Sequence, residues 1–279
     1  MNQTELILEM NQIREMLKGF AMSEQAKQEL DALTPFLDER ICRKKMEETT
    51  QARKILDALG SPPLASMQEI VPVLELSTRG AMLTPPQLTQ TAVFLASCRR
   101  MKQYCKRAEI LEVPLAWNGQ GIEDLPELYE ELDASIHNET VTDAASTSLR
   151  QIRRQTEIIS TQIRRKLEEL LRGRKQIFSD GYYSQRGGRF VLPVKREYRS
   201  QLKGSVVDVS ASGATCFIEP ESVQRLQAQL AQLQIEEENE IRRVLYLLTS
   251  LVEEHAGEIR RNVETMVVLD VAFAKAKLS

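Results

Sequence analysis

The sequence predicts a mainly α fold: a helical core and a long antiparallel helical arm, capped by a small β-rich element. Three observations predict it. Apolar residues recur at helical spacing through most of the 279 residues. Aromatic residues are only 5% of the chain against 42% hydrophobic and 28% charged residues, a balance that suits soluble helices. Between Gly188 and Pro220 the pattern changes to β-branched and aromatic residues punctuated by Gly and Pro. The length allows one large or two ordinary domains with a sizeable core.

The first elements are helices with an apolar stripe. In "ELILEMNQIREMLKGF" the residues Leu6, Met10, Ile13, Leu17 and Phe20 share one face. The stretches "MSEQAKQEL" and "DERICRKKMEETTQARKILDALG" continue the pattern, the second closing at Gly60. After the turn signals "SPPLAS", "PV" and "TPP", a further helix starts near Pro85–Pro86. Residues 111–143 are looser, with Pro114, Gly119, Gly121 and Pro126, and suit short bridging helices.

Two long helices follow. The first runs from about Asp143 to Lys175 and carries Leu149, Ile152, Ile159, Ile163, Leu167 and Leu170. The second begins near Glu221 and carries Leu226, Leu230, Leu233, Ile241, Val244, Leu248 and Leu251. At a rise of about 1.5 Å per residue each spans roughly 50 Å. Their apolar seams are narrow, so each needs a partner, and the nearest is the other one, returned antiparallel. The segment between them reads as three strands, "RFVLPVK", "GSVVDVSAS" and "ATCFIEP", with turns at Gly204 and Ser212–Gly213. Pro193 predicts an edge or bulged strand, because it cannot donate to a ladder. The resulting organisation is a helical core at 1–142, a first long helix at 143–178, the β-rich element at 179–220 and a second long helix at 221–279.

Several function classes find no support. Cys42, Cys98, Cys105 and Cys216 form no CxxC pair and only two histidines are present, so no metal site is legible. The four thiols read as reduced, buried or half-buried side chains of a cytoplasmic protein. No secretory apolar stretch and no run of about 18 apolar residues predicts a membrane partner. There is no G-x-x-x-x-G-K-[ST] loop, hence no ATP site, and no cofactor is expected in this chain. No catalytic constellation is visible either. His137 falls in a loop-like stretch and His255 on a helix near its apolar seam, where a partly buried, satisfied imidazole is expected. The carboxylates from Glu236 to Glu240 point around a helix axis instead of converging on a metal.

Charge is unevenly placed. The net charge is −3, yet between Arg150 and Lys203 fifteen Lys and Arg face five Asp and Glu, an excess of ten positive charges that leaves −13 elsewhere. Such a field attracts phosphate backbones whatever the global balance. On the first long helix, Arg164, Arg165 and Lys166 could pair across to the Glu236–Glu240 run or form a solvated face. In the β-rich element, Arg186, Arg189, Lys195, Arg196, Arg199 and Lys203 have only Asp180 and Glu197 near in sequence. With Tyr182, Tyr183 and Tyr198 interleaved, they form a candidate nucleic-acid surface; a solubilising tip is the competing reading. No recognition helix or RNA-binding sheet motif is present, so sequence-specific reading is not expected.

The stretch "GRFVLPVKREYRSQLKGSVVDVSASGATCFIEPESV", a Glu-rich helix after it and the closing "LDVAFAKAKLS" together resemble the MutS family. The likeness is to the core (lever) and clamp region of its Smr-tailed, recombination-suppressing branch, and "LILEMNQIREMLKGFAMSEQAKQEL" is similar to that branch's N-terminus. The resemblance implies a homodimeric ATPase, using ATP and magnesium, whose levers carry clamps that close on nucleic acid. It implies a role with branched DNA and recombination, or with ribosomal RNA in splitting collided ribosomes, and a nuclease-type Smr tail. It makes Arg189, Lys195, Arg196, Arg199 and Lys203 backbone contacts. It also implies that Ser279 lies about where the ATPase domain would begin, so that this chain is a non-catalytic lever and clamp. The triplet Phe217-Ile218-Glu219 matches the mismatch-sensing wedge of other members, but in a clamp strand a packed Phe and a strand-terminal Glu are expected. The alternative reading is a structural coiled-coil dimerisation module, with a seam at 223–251 and no nucleic-acid binding.

Overall fold

The computed structural model describes residues 9–64 and 70–279. The chain divides into two compact units, residues 1–142 with 245–279, and residues 143–244. It is mainly helical, with small antiparallel sheets, as the sequence predicts.

The first unit contains α1 (Met10–Phe20), α2 (Glu24–Asp31), α3 (Glu39–Leu59), α4 (Ile70–Thr78) and α5 (Pro85–Ala108). Short α6 (Pro114–Trp117) and α7 (Pro126–Ser135), each opening on a proline, fill the looser segment together with a hairpin of β1 (Ile136–His137) and β2 (Thr140–Val141). His137 therefore lies in a strand and not in a loop. Local signals set the ends. The Asp38 carboxylate accepts from Arg40 N at 2.8 Å to start α3, and Gly60 closes it at φ 74°. Thr84 N donates to Gln87 Oε1 at 2.9 Å before Pro85 opens α5.

The core of this unit gathers on α10 (Ala256–Leu278), which buries Ile259, Val263, Met266, Leu269 and Phe273. Polar groups buried with it are matched. Asp270 accepts from Ser23 N and Ser23 Oγ, both at 2.8 Å, and from Met22 N at the start of α2, where unpaired N–H groups and the helix dipole favour a carboxylate. Asn262 both accepts from Glu123 N and donates to Glu123 O. Of the expected α1 stripe, Leu17 is buried, Ile13 and Phe20 are exposed, and Leu6 lies outside the described residues. Helix α1 leans on α2 and α10, and Leu17 is the residue of its stripe that this contact buries.

The second unit is built on α8 (Thr147–Gly173) and on α9 (Glu221–Glu254) as far as Val244. With 27 residues, α8 is about 40 Å long, shorter than expected, because Ser146 caps it at Leu149 N and Gly173 ends it. The two helices pair antiparallel: Ser146 Oγ meets Glu240, Arg153 Nε meets Glu237 at 2.7 Å, and Lys166 Nζ reaches Ser222 O at 3.2 Å. The acidic run thus faces the start of α8. Arg164 and Arg165 are not its partners; they lie 3.9 Å from Glu157 and Glu169 of their own helix. The predicted apolar seams of both helices are buried or half-buried throughout. The expected second helix is interrupted at His255, a half-buried residue whose N–H still reaches Leu251 O at 3.3 Å, before α10 begins.

Between α8 and α9 stands a four-stranded sheet of order β3-β4-β6-β5: β3 (Ser184–Arg186), β4 (Arg189–Lys195), β5 (Gly204–Val209) and β6 (Thr215–Pro220). The three predicted strands are present; β3 is additional, joined to β4 by a two-residue turn in which Gly187 and Gly188 adopt φ 53° and 75°. One sheet face packs Phe190, Leu192, Val194, Cys216 and Ile218 on Ile163, Leu167 and Leu171 of α8 and Val223 and Leu230 of α9. Pro193 is not on an edge strand, since β4 is internal. It is tolerated because β3 has ended by that point and Pro193 O turns from β6 to accept from Ser179 N at 3.0 Å, so its missing donor removes no bond to β6.

Candidate nucleic-acid interface

The sheet face opposite the helix pair carries the predicted cations. Because side chains alternate along a strand, Arg189, Val191, Pro193 and Lys195 of β4 share that face with Phe217 and Glu219 of β6 and with Arg186 of β3. Directly after β4 a 3₁₀ turn, Arg196–Gln201, adds Arg196 and Arg199, and Lys203 precedes β5.

The structure divides the six into two kinds. Arg186 lays its guanidinium over the Phe217 ring, 4.6 Å from the centroid, with Asp208 at 3.9 Å. Arg189 Nη1 donates to Glu219 Oε2 at 2.6 Å, and Glu219 is 2% exposed. Lys195 donates to Gln176 O at 3.2 Å and stands 6.0 Å over the Tyr198 ring. Arg196, Arg199 and Lys203, by contrast, are exposed and have no side-chain hydrogen bond or ion pair among the described residues. Their charge is not neutralised within the unit and remains for an external anion. Of the tyrosines, Tyr182 is 65% exposed, whereas Tyr183 packs edge-on against Phe190 and Tyr198 leans on the core.

The free cations stand on a fixed platform. Leu202, between Arg199 and Lys203, is buried in the core, and Arg174 Nη1 donates to Gln201 O at 2.7 Å. Arg196 N donates to Ala214 O at 2.9 Å, tying the 3₁₀ turn to the β5–β6 turn, where Gly213 takes φ 72°. Gly204 permits a close approach: a Cβ there would lie 2.1 Å from Glu219 O.

Sequence reasoning missed the acidic partners Asp208 and Glu219, and it missed Gln227. Gln227 accepts from Phe190 N at 2.7 Å and donates to Phe190 O at 2.8 Å from the second turn of α9. The pairing of β4 with β6 ends at Leu192 and Ile218, and beyond that point a side-chain amide supplies the bonds that a strand would have given Phe190. No local signal marks Gln227. The Gly187–Gly188 pair was the available signal for β3. The Phe217-Ile218-Glu219 triplet is a half-buried Phe under Arg186 and a buried carboxylate, as its strand position predicts. Among the described residues no group of three or more His, Cys, Asp or Glu converges in a metal-like cluster. No described helix is long and apolar enough to cross a membrane.

No family model matches the chain. Individual relatives do. The chain is 35% identical over 281 residues to a protein of Clostridium botulinum (strain Alaska E43 / Type E3) named Endonuclease MutS2, an alignment covering 99% of this chain and 36% of that protein. A protein of the same name from Clostridium beijerinckii (strain ATCC 51743 / NCIMB 8052) is 34% identical over 286 residues, with 99% and 36% covered. A third, from Clostridium botulinum (strain ATCC 19397 / Type A), is 33% identical over 276 residues, with 98% and 35% covered. The chain therefore spans about a third of the length of the curated relatives it matches.

Proposed function

Because this chain is a homologue of the MutS2 proteins along 99% of its own length, we propose that it is the non-catalytic lever and clamp part of a MutS-type machine. The residues 179–220 grip nucleic acid and the long helices α8 and α9 carry the grip's motion. The observation that carries the reading is the trio Arg196, Arg199 and Lys203, exposed and unpaired on a buttressed turn. Lys195 and the acid-paired Arg186 and Arg189 extend the same basic surface. Point charges of this kind hold phosphates without reading bases. The ligand is DNA, including branched recombination intermediates, or structured ribosomal RNA. In the longer machine two copies act as a homodimer in the cytoplasm, and ATP and magnesium are used by parts for which this sequence carries no phosphate-cradling loop.

The test is fluorescence anisotropy with branched DNA, duplex DNA and structured RNA at two salt concentrations. The chain is compared with a Lys195→Glu/Arg196→Glu/Arg199→Glu variant. Binding that salt weakens and the variant loses supports the clamp, and the ligand ranking separates recombination from ribosome work. Equal binding by both proteins, or binding indifferent to salt, overturns it.

A further inference from the structure

Helix α5 carries a charge pattern that the whole-chain balance conceals. Its 24 residues include five cations, Arg99, Arg100, Lys102, Lys106 and Arg107, and no acid. At about 100° per residue the five fall within an arc of about 160°, with the exposed amide of Gln103 among them. The opposite face is core: Cys98, Met101, Tyr104, Cys105 and Ala108 are buried. The platform is fixed, because Tyr104 donates its hydroxyl to Gly60 O at 2.6 Å and stacks edge-on against Phe273 of α10.

None of the five has an ion pair among the described residues, although the acidic α7 packs on α5. Arg100 Nη2 donates to Ser97 Oγ at 3.0 Å, and Arg107 stands 5.8 Å over the Tyr104 ring; neither contact neutralises the charge. Glu109, directly after the helix, accepts instead from Gln120 Nε2 at 3.2 Å. The carbonyls at a helix C-terminus favour cations in the last turn, which accounts for Lys106 and Arg107. That effect falls off within one turn and leaves Arg99, Arg100 and Lys102 without a counter-charge.

We infer that this face of α5 is a second nucleic-acid surface, in the first unit, holding the phosphate backbone of one strand. From Arg99 to Arg107 the helix rises about 12 Å, the length of three to four phosphates of one strand. Guanidinium forks and ammonium groups hold phosphate oxygens whatever the base, and Gln103 adds a neutral donor. The inference does not rest on the clamp at 179–220, and either surface can fail alone.

The experiment is lysine acetylation footprinting of the whole chain by mass spectrometry, with and without duplex DNA, at about 50 mM salt. With duplex at several times the Kd, Lys102 and Lys106 react about fivefold or more slowly, while the exposed Lys44 of α3 keeps its rate. With three or four phosphates engaged, raising the salt to about 200 mM weakens the contact about 40–150-fold and removes the protection. An Arg99→Gln/Arg100→Gln/Arg107→Gln chain loses the protection with its circular dichroism unchanged, and the Lys195→Glu/Arg196→Glu/Arg199→Glu chain keeps it. The inference is overturned, and the clamp left standing, if duplex protects Lys195 and Lys203 but not Lys102 and Lys106. The reverse pattern supports this surface and counts against the clamp. Uniform slowing that includes Lys44 overturns it, as does loss of the protection in the clamp variant. Protection by an acidic polypeptide of equal charge and none by the duplex overturns it in favour of an acidic protein partner.

Discussion

Arg189 Nη1 lies 2.6 Å from Glu219 Oε2, joining a guanidinium with 59% of its side chain exposed to a carboxylate with 2%. Arg189 is thus the counter-charge of a buried acid before it is a contact for phosphate. Removing it strands the acid. Arg189→Ala is expected to lower stability by about 2–4 kcal/mol, and adding Glu219→Gln to recover more than half of that, because the buried charge is then gone. Urea unfolding of the three proteins checks it. Equal losses in the single and double variants would show that the pair is not what holds this corner.

Gln227 completes β4 beyond the end of its pairing with β6. Gln227→Ala leaves the Phe190 N–H and C=O buried and unpaired, at a cost of about 2–4 kcal/mol for the two groups. Thermal unfolding gives the loss, and native-state hydrogen exchange localises it, with the Phe190 amide exchanging at least tenfold faster while amides of the first unit are unchanged.

Acid should loosen the start of α8. The Arg243 hydrogen bond foremost, and then that of Ser146, holds the Glu240 carboxyl down at about 2 against an ordinary 4.5. The folded form therefore favours the ionised acid. The stabilisation is complete above about pH 4.5 and is lost as the pH falls towards 2. Melting temperature followed from pH 5 to pH 2 is expected to fall less steeply in Glu240→Gln than in wild type.

The four thiols should react unequally. Burial pushes Cys98 up to about 12 and Cys105 up to about 11, and Cys216 is also buried, whereas Cys42 is half-buried on α3. At pH 8 the native chain is expected to show one fast thiol towards an aromatic disulfide reagent, lost in Cys42→Ser, with three more appearing in denaturant.

Most of the elements were legible in the sequence, β3 and the break at His255 excepted. Apolar spacing placed the seams of α8 and α9, Pro85 and Gly60 marked helix ends, and β-branched runs gave β4, β5 and β6 their places. Each of these signals lies within a few residues of its effect, because helix periodicity, capping and strand alternation are local physics. The six candidate cations were legible for the same reason, as a charge excess in one stretch.

Tertiary structure alone decided which of those cations are free. Arg189 is engaged by Glu219, 30 residues away, and Arg186 stands near Asp208, 22 residues away, while Arg196, Arg199 and Lys203 meet no acid among the described residues. The helix register was equally hidden: Arg153 and Ser146, not Arg164 and Arg165, face the acidic run. So was the bond between Gln227 and Phe190, and so was Pro193's place on an internal strand. In each case the partner is chosen by strand order and helix register, and these follow from how the apolar faces close over one core. That closure is a property of the whole unit, which no local pattern encodes.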